Sequence, residues 1–278
     1  MNIKRLFMLS FFVKCLIAVF FVGLLSVHYL LSQIWYRQGT VNLNRIEKQL
    51  EQGVLKVDDR MSGSSMFHGY TGLMLAARWG NVDLAKLYLK YMNKDQVNLR
   101  ADNLQGDTAL HVAIRSANEG NKKNALEMIK LLLDHGADPN LFNTREIAPI
   151  HLAIFVNYWP PTKSEFSRRW EVVKLLADYG ADLNAQIGKY DTAGLTPKEI
   201  KQFGDYLKAQ KLAEGDTHLH IAAKINDTYW VKDFLDEYGP RVDLMIKDKR
   251  GMTALEAARR FNYGSEMTDL LGSVNQII

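Results

Sequence analysis

Short helices that pair two by two are predicted by the spacing of apolar residues along most of the chain. Leu110, Ala113 and Ile114 lie at positions i, i+3 and i+4, which places them on one face of a helix. Met128 and Leu132, further along, repeat this spacing in a second helix. One such pair cannot bury its own apolar faces, so neighbouring pairs must stack. The pattern therefore predicts an all-α fold made of stacked helix pairs.

Two short motifs mark the ends of the predicted pairs. Thr-x-Leu-His starts the first helix, where the threonine hydroxyl can accept from a helix N–H that would otherwise lack a partner. The copies are Thr108–His111, Thr217–His220 and, with Ala in place of Thr, Ala148–His151, while looser copies begin at Thr71 and Thr253. Gly-Ala-Asp-x-Asn follows the second helix at 136–140 and 180–184. Its glycine suits a positive φ, and its Asp and Asn favour a turn.

Together the two motifs resemble the ankyrin repeat, which has a turn, two helices and a period of about 33 residues. The resemblance covers roughly residues 42–272 and implies an ankyrin-repeat solenoid with hairpin turns. The spacing is irregular, because 69 residues separate Ala148 from Thr217 and only 37 separate Thr71 from Thr108. The expected organisation is a capping half-repeat and linker at 38–65 and a repeat domain at 66–278. An irregular unit at 185–214 is expected to fill the long spacing.

A transmembrane helix is predicted in residues 1–37. The run from Leu16 to Trp35 is 20 residues long and carries no formal charge. At about 1.5 Å per residue it can cross a hydrocarbon core of about 30 Å. A cleaved signal peptide is the alternative, but no Ala-x-Ala site ends the run. We therefore expect an uncleaved signal anchor.

The distribution of basic residues predicts how this anchor is oriented and what the domain does not bind. Lys4, Arg5 and Lys14 precede the span, which favours a cytoplasmic N-terminus. The repeats would then lie in the periplasm of a bacterium, on an inner-membrane, single-pass protein. Residues 1–37 hold four of the 35 bases and no acid, which leaves 31 bases against 31 acids in the remainder. A domain with no net charge is not expected to bind nucleic acid.

No motif for catalysis or metal binding is found. His111, His151 and His220 occupy the same position in three units, so they are expected to line up along the stack rather than converge. The chain contains no Gly-rich phosphate loop, no H-E-x-x-H and no G-x-S-x-G. We expect no enzyme activity, no cofactor, no metal and no small-molecule substrate.

The resemblance to the ankyrin repeat implies that a protein partner binds the turns and the ends of the first helices. Carried over to this chain, the predicted partner-binding residues are Phe67, His68, Tyr70, Arg78, Trp79, Leu104, Gln105, Arg115, Thr144, Arg145 and Phe155. An insertion at 157–170 adds Trp159 and Trp170, which are residue types enriched at interfaces. Alternatively, these two tryptophans fold back and cover the stack.

The architecture is similar to that of bacterial periplasmic ankyrin immunity proteins. This resemblance implies a membrane-anchored protein that sequesters or inhibits a protein partner, such as a type VI secretion lipase toxin. Three alternatives remain open. They are a structural scaffold or adaptor for an envelope protein complex, an enzyme that uses the insertion at 157–170, and a cytoplasmic adaptor with inverted topology.

Overall fold

The computed structural model describes residues 42–62, 67–118, 124–154, 163–190, 197–198, 201, 212–261 and 265–274 of the 278-residue chain. The larger of the two compact units into which the chain divides is Glu47–Ile278. The described part contains helices and no β-strand, so the all-α prediction is confirmed. None of the described helices is long and apolar enough to cross a bilayer. The predicted span at 16–35 lies outside the described residues.

Most of the described helices form five pairs, in which a first helix packs beside a second one. The first helices are α2 (Gly72–Trp79), α5 (Ala109–Asn118), α7 (Pro149–Ala153), α9 (His218–Ile225) and α11 (Ala254–Phe261). The second helices are α3 (Val82–Tyr91), α6 (Ala125–Asp134), α8 (Lys163–Asp178), α10 (Thr228–Tyr238) and α12 (Ser265–Val274). The remaining helices are α1 (Leu43–Glu51), the short α4 (Lys94–Val97) and a 3₁₀ turn at Gly239–Arg241.

The first helices of the first and fourth units begin at the threonine motif for the reason that the sequence predicts, whereas that of the third unit begins at Ala148 without a side-chain cap. The hydroxyl of Thr71 accepts from the backbone N–H of Met74, and that of Thr217 accepts from the backbone N–H of His220. The same helices end at Gly80 and Asn226, which both adopt positive φ. Left-handed residues at these ends let the chain reverse into the second helix.

Histidines at the fourth position of the motif join consecutive units. Nε2 of His111 lies 3.0 Å from the carbonyl oxygen of Ile147, and Nε2 of His151 lies 2.9 Å from that of Ala185. The backbone N–H of Ala148 donates to Nδ1 of His151, so the proton of this neutral ring is on Nε2. The histidines therefore act as structural hydrogen-bonding groups between units.

A second ladder of hydrogen bonds runs through the loops that follow the second helices. The amide of Asn98 donates to Gly136 O at 2.8 Å and accepts from Asp138 N at 2.8 Å. Asn140 makes the same two bonds to Gly180 and Asp182. Asn184 makes them to Arg241 and Asp243.

The last of these contacts shows that the third unit, α7 with α8, is a direct neighbour of the fourth, α9 with α10. Ile187 supports this, because its N–H donates to Asp216 O and its carbonyl accepts from Gly215 N. Much of the irregular unit predicted at 185–214 lies outside the described residues. Ile187, near the start of this segment, and Gly215 and Asp216, directly after it, are hydrogen-bonded to each other.

The second helix of the third unit is longer than its counterparts. It begins at Lys163, whereas the sequence placed its start near residue 171, and it runs for 16 residues against 10 in α3 and α6. The second half of the predicted insertion at 157–170 therefore belongs to α8. Residues 157–162 lie outside the described part of the chain.

Candidate protein-binding surface

Three aromatic side chains form a compact group at the first unit. The ring centroids of Phe67 and Trp79 are 5.4 Å apart and edge to face, and those of Phe67 and Tyr70 are 5.8 Å apart. All three rings are half-buried. We call Phe67, Tyr70 and Trp79 the aromatic group. It combines large apolar area with a solvent-exposed edge, which is typical of an interface anchor.

Backbone geometry fixes the aromatic group in place. Gly69 lies between Phe67 and Tyr70 with a φ of +77°, and a Cβ added there would lie 2.2 Å from the carbonyl oxygen of Asp102. Only glycine fits this close approach of the first turn to the second. His68, also a predicted binding residue, is exposed, and its carbonyl oxygen accepts from the Asn103 side chain at 3.0 Å.

Arg78 links the aromatic group to the second unit. Its guanidinium donates to the Ser116 hydroxyl at 3.3 Å, and that hydroxyl in turn donates to the Arg78 carbonyl oxygen. Arg78 is half-buried and next to Trp79. The structure therefore brings the predicted binding residues of the first unit together on one surface.

Arg115 has a structural role that the sequence analysis missed. Its Nε donates to the carboxylate of Asp107 at 2.8 Å, and the Asn143 amide donates to the other oxygen at 2.7 Å. Asp107 is 1% exposed. Burial alone would raise the pKa of Asp107, but the Arg115 charge and these hydrogen bonds outweigh it and lower the pKa. Replacing Arg115 would leave a buried carboxylate without its cation, so this residue cannot report on partner binding alone.

The predicted residues of the next two turns hold those turns to each other. Thr144 donates through its hydroxyl to Leu104 O at 3.1 Å and through its N–H to Gln105 O at 3.2 Å. Leu104 and Gln105 are half-buried and Thr144 is exposed, whereas Arg145 is 9% exposed. Of these four side chains, only that of Thr144 is exposed.

The three remaining predicted residues are placed differently. Phe155 and Trp159 lie outside the described residues. Trp170 lies on α8, and its ring centroid is 6.5 Å from those of Trp230 and Phe234 and 6.0 Å from that of Tyr238. This placement matches the alternative in which the tryptophan covers the stack.

A second buried ion pair repeats the arrangement of Asp107 and Arg115 in the fourth unit. The ammonium of Lys224 contacts both carboxylate oxygens of Asp216, and these side chains are 2% and 0% exposed. Burial raises the pKa of Asp216 and lowers the pKa of Lys224, and each partner's charge opposes the shift. The sequence held a signal for both pairs, since an Asp directly precedes the motif threonine and a base follows eight residues after the Asp.

No arrangement for metal chemistry is seen where the structure is described. There, no three His, Cys, Asp or Glu side chains are grouped in a way that could hold a metal ion. Nε2 of His111, His151 and His220 each faces a backbone carbonyl oxygen of the next unit. What the surface offers chemically is recognition through aromatic rings, guanidinium groups and turn backbone.

Comparisons with known proteins point the same way as the geometry. A family model described as ankyrin repeats (3 copies) matches residues 37–143. The Notch-regulated ankyrin repeat-containing protein of Xenopus laevis is 34% identical over 95 residues, which are 34% of this chain and 77% of that protein. An ankyrin repeat protein of Fowlpox virus is 31% identical over 130 residues, 47% of this chain and 32% of that protein. Human NF-kappa-B inhibitor zeta is 35% identical over 99 residues, 35% of this chain and 12% of that protein. The match thus spans a third or less of the last two proteins.

Proposed function

Because this chain belongs to the ankyrin-repeat family, whose repeats are non-enzymatic protein-interaction modules, we propose that it binds a folded protein partner through the aromatic group and the turns beside it. The observation that carries the proposal is the packing of Phe67, Tyr70 and Trp79 against one another at the first unit. Rings already held in place lose little conformational freedom on binding. A few such anchors usually supply most of an interface's binding energy.

Our finer proposal is that binding inhibits or sequesters the partner at a membrane. The uncharged run from Leu16 to Trp35 supports a tether, with the repeats in the periplasm of a bacterium. One similar protein, NF-kappa-B inhibitor zeta, is by its name an inhibitor. The resemblance to ankyrin immunity proteins makes a type VI secretion lipase toxin the partner to test first.

The double variant Phe67→Ala/Trp79→Ala is expected to weaken partner binding by about 2 kcal/mol or more, a factor of roughly thirty. Both rings are anchors in the aromatic group, and their loss removes its apolar area. The partner is captured from the producing organism with the full chain as bait and identified by mass spectrometry. Its affinity for each variant is then measured by biolayer interferometry.

The matched control for this experiment is Tyr229→Ala. Tyr229 is an aromatic residue on α10 that is 76% exposed and lies away from the aromatic group. The Tyr229→Ala variant should bind the partner with the affinity of the unaltered chain. Circular dichroism should show the same helix content in all variants. Full affinity in the double variant would show that the partner docks on another surface.

Inhibition is tested separately in cells that express a type VI secretion lipase together with this chain. The unaltered chain should protect these cells, and the Phe67→Ala/Trp79→Ala variant should not. If the captured partner is a structural envelope protein and the lipase kills both strains equally, the chain is a scaffold and the inhibitory role is wrong. A topology reporter fused after Ile278 shows on which side of the membrane the repeats lie.

A further inference from the structure

The junction between the third and fourth units contains buried polar atoms without hydrogen-bond partners. Within the described part of the chain these are Nε and Nη2 of Arg169, both ring nitrogens of His218, and Nε1 of Trp230. Nη1 of Arg169 lies 2.9 Å from the carboxylate of Asp227, and both side chains are 3% exposed. Each unsatisfied buried group costs roughly 1–3 kcal/mol. The contact between α8 and α10 therefore contains several buried polar groups that lower its stability.

His218 is an unusual residue for its place in the repeat. It occupies the second position of the threonine motif, and the equivalent residues are Gly72, Ala109, Pro149 and Ala254. Its side chain is 0% exposed, and its ring centroid lies 4.5 Å from that of Phe234 and 5.3 Å from that of Trp230. A titratable ring thus stands where the other units carry a small or apolar side chain.

The other buried motif histidines differ from His218 in their hydrogen bonds. His151, for example, bonds through both ring nitrogens, to Ala148 and to Ala185. Nε2 of His111 and His220 also faces a carbonyl oxygen. A proton added to His218 would have no acceptor among the described residues.

The charged and titratable groups around His218 do not favour a positive charge. Two other imidazoles lie close to it, His151 on α7 and His220 on the same helix. The carboxylate of Asp227, at the start of α10, is already occupied by Arg169 and by the N–H of Trp230 at 3.2 Å. Burial lowers the pKa of His218 well below its usual value, and His151 and His220 lower it further. Contact with aromatic rings offers a cation about 0.5–2 kcal/mol, less than the several kcal/mol needed to bury an unpaired charge.

We propose that this junction is an acid-sensitive opening point of the stack, at which uptake of a proton by His218 on α9 breaks its packing on Trp230 and Phe234 and thereby loosens the contact of these two α10 rings with Trp170 of α8. In the opened state the imidazole is hydrated and takes up its proton near pH 6.5. The closed state excludes the proton, so the opening equilibrium shifts as the pH falls. Between pH 7.5 and 5.5 the opening constant rises by up to about tenfold for one histidine. The first unit, which carries the aromatic group, lies two units away from this junction.

Amide hydrogen exchange of the full chain at pH 7.5 and 5.5, corrected for intrinsic rates, tests the proposal. Peptides from α8 and α10 should lose about tenfold of their protection at the lower pH. Peptides from α2 and α3, which belong to the first unit, should lose less protection than those from α8 and α10. An equal loss in all four helices would mean that the whole domain unfolds together, and would overturn the proposal.

Two substitutions then assign the effect to the imidazole. His218→Leu fits an apolar site and cannot titrate, so the loss of protection in α8 and α10 should fall to the level of α2. If the His218→Leu variant does not fold, the variant His218→Gln is measured in its place. The control His111→Gln removes a buried histidine elsewhere, and α10 should keep its tenfold change. A wild-type pH response in the His218 variant would overturn the proposal.

Discussion

Replacing Asp216 with alanine is expected to lower the free energy of unfolding by about 3–5 kcal/mol, because it removes the carboxylate in direct contact with the buried Lys224 ammonium. The nearest oxygen of Asp248 is 4.0 Å from Lys224 and already binds Arg250 at 2.8 Å, so it is a poor substitute. Urea denaturation of the full chain, followed by circular dichroism, measures the change.

The double variant Asp216→Ala/Lys224→Met shows whether the loss of stability comes from the unpaired charge of Lys224 or from the cavity left by Asp216. It should recover most of the lost stability, because replacing a buried ion pair by apolar groups is often nearly neutral. Asp236→Ala breaks the exposed pair of α10, with Lys232, and should change stability little. A double variant no more stable than Asp216→Ala would show that the carboxylate acts through its bond to the Ala213 N–H instead.

The folded domain is expected to lose stability as the pH falls below about 6.5, because its motif histidines are buried as neutral rings. Burial lowers the pKa of His111, His151, His218 and His220, to about 4 for His151. A folded-state pKa below the unfolded value means that the unfolded chain takes up protons first. Each histidine then lowers the free energy of unfolding by up to about 1.4 kcal/mol per pH unit, and the total for His151 is about 3 kcal/mol.

Urea midpoints at pH 7.5, 6.5 and 5.5 check this slope above the range in which the carboxyl groups of an unfolded chain take up protons. The midpoint should fall slightly from pH 7.5 to 6.5 and then steeply from pH 6.5 to 5.5. His135→Gln, which replaces an exposed histidine at the end of α6, should leave the curve unchanged. A midpoint that stays flat down to pH 5.5 would mean that the buried rings take up protons without loss of packing.

The sequence predicted the helix pairs because the information is local. Thr71 and Thr217 form the caps expected of them, and Gly80 ends its helix in the left-handed conformation. The order of neighbours at residues 185–214 could not be predicted. It depends on contacts made across long stretches of chain, such as Asn184 with Asp243, and the motif that contains Asn184 does not show which later residue it will bond to.

Individual side chains at the candidate site were harder to assign than the turns that carry them. Phe67 packs against Tyr70 and Trp79, and the role of these three residues in binding a partner stays a prediction. Arg115 lies at a position that the resemblance assigns to the binding surface, but its guanidinium neutralises the buried Asp107. The spacing of residues in the sequence does not show which side chains are exposed. An Asp followed eight residues later by a basic residue predicts a buried ion pair only if the Asp is known to be buried.

The bonds between Ile187 and the pair Gly215 and Asp216 have a practical consequence for protein engineering. They hold Ile187 and Gly215 side by side, although 27 residues lie between the two in the sequence. The entropy of closing a loop grows only slowly with its length, by about 0.6 kcal/mol for each doubling. Additional residues between Ile187 and Gly215 are therefore expected to cost the junction little free energy through loop closure.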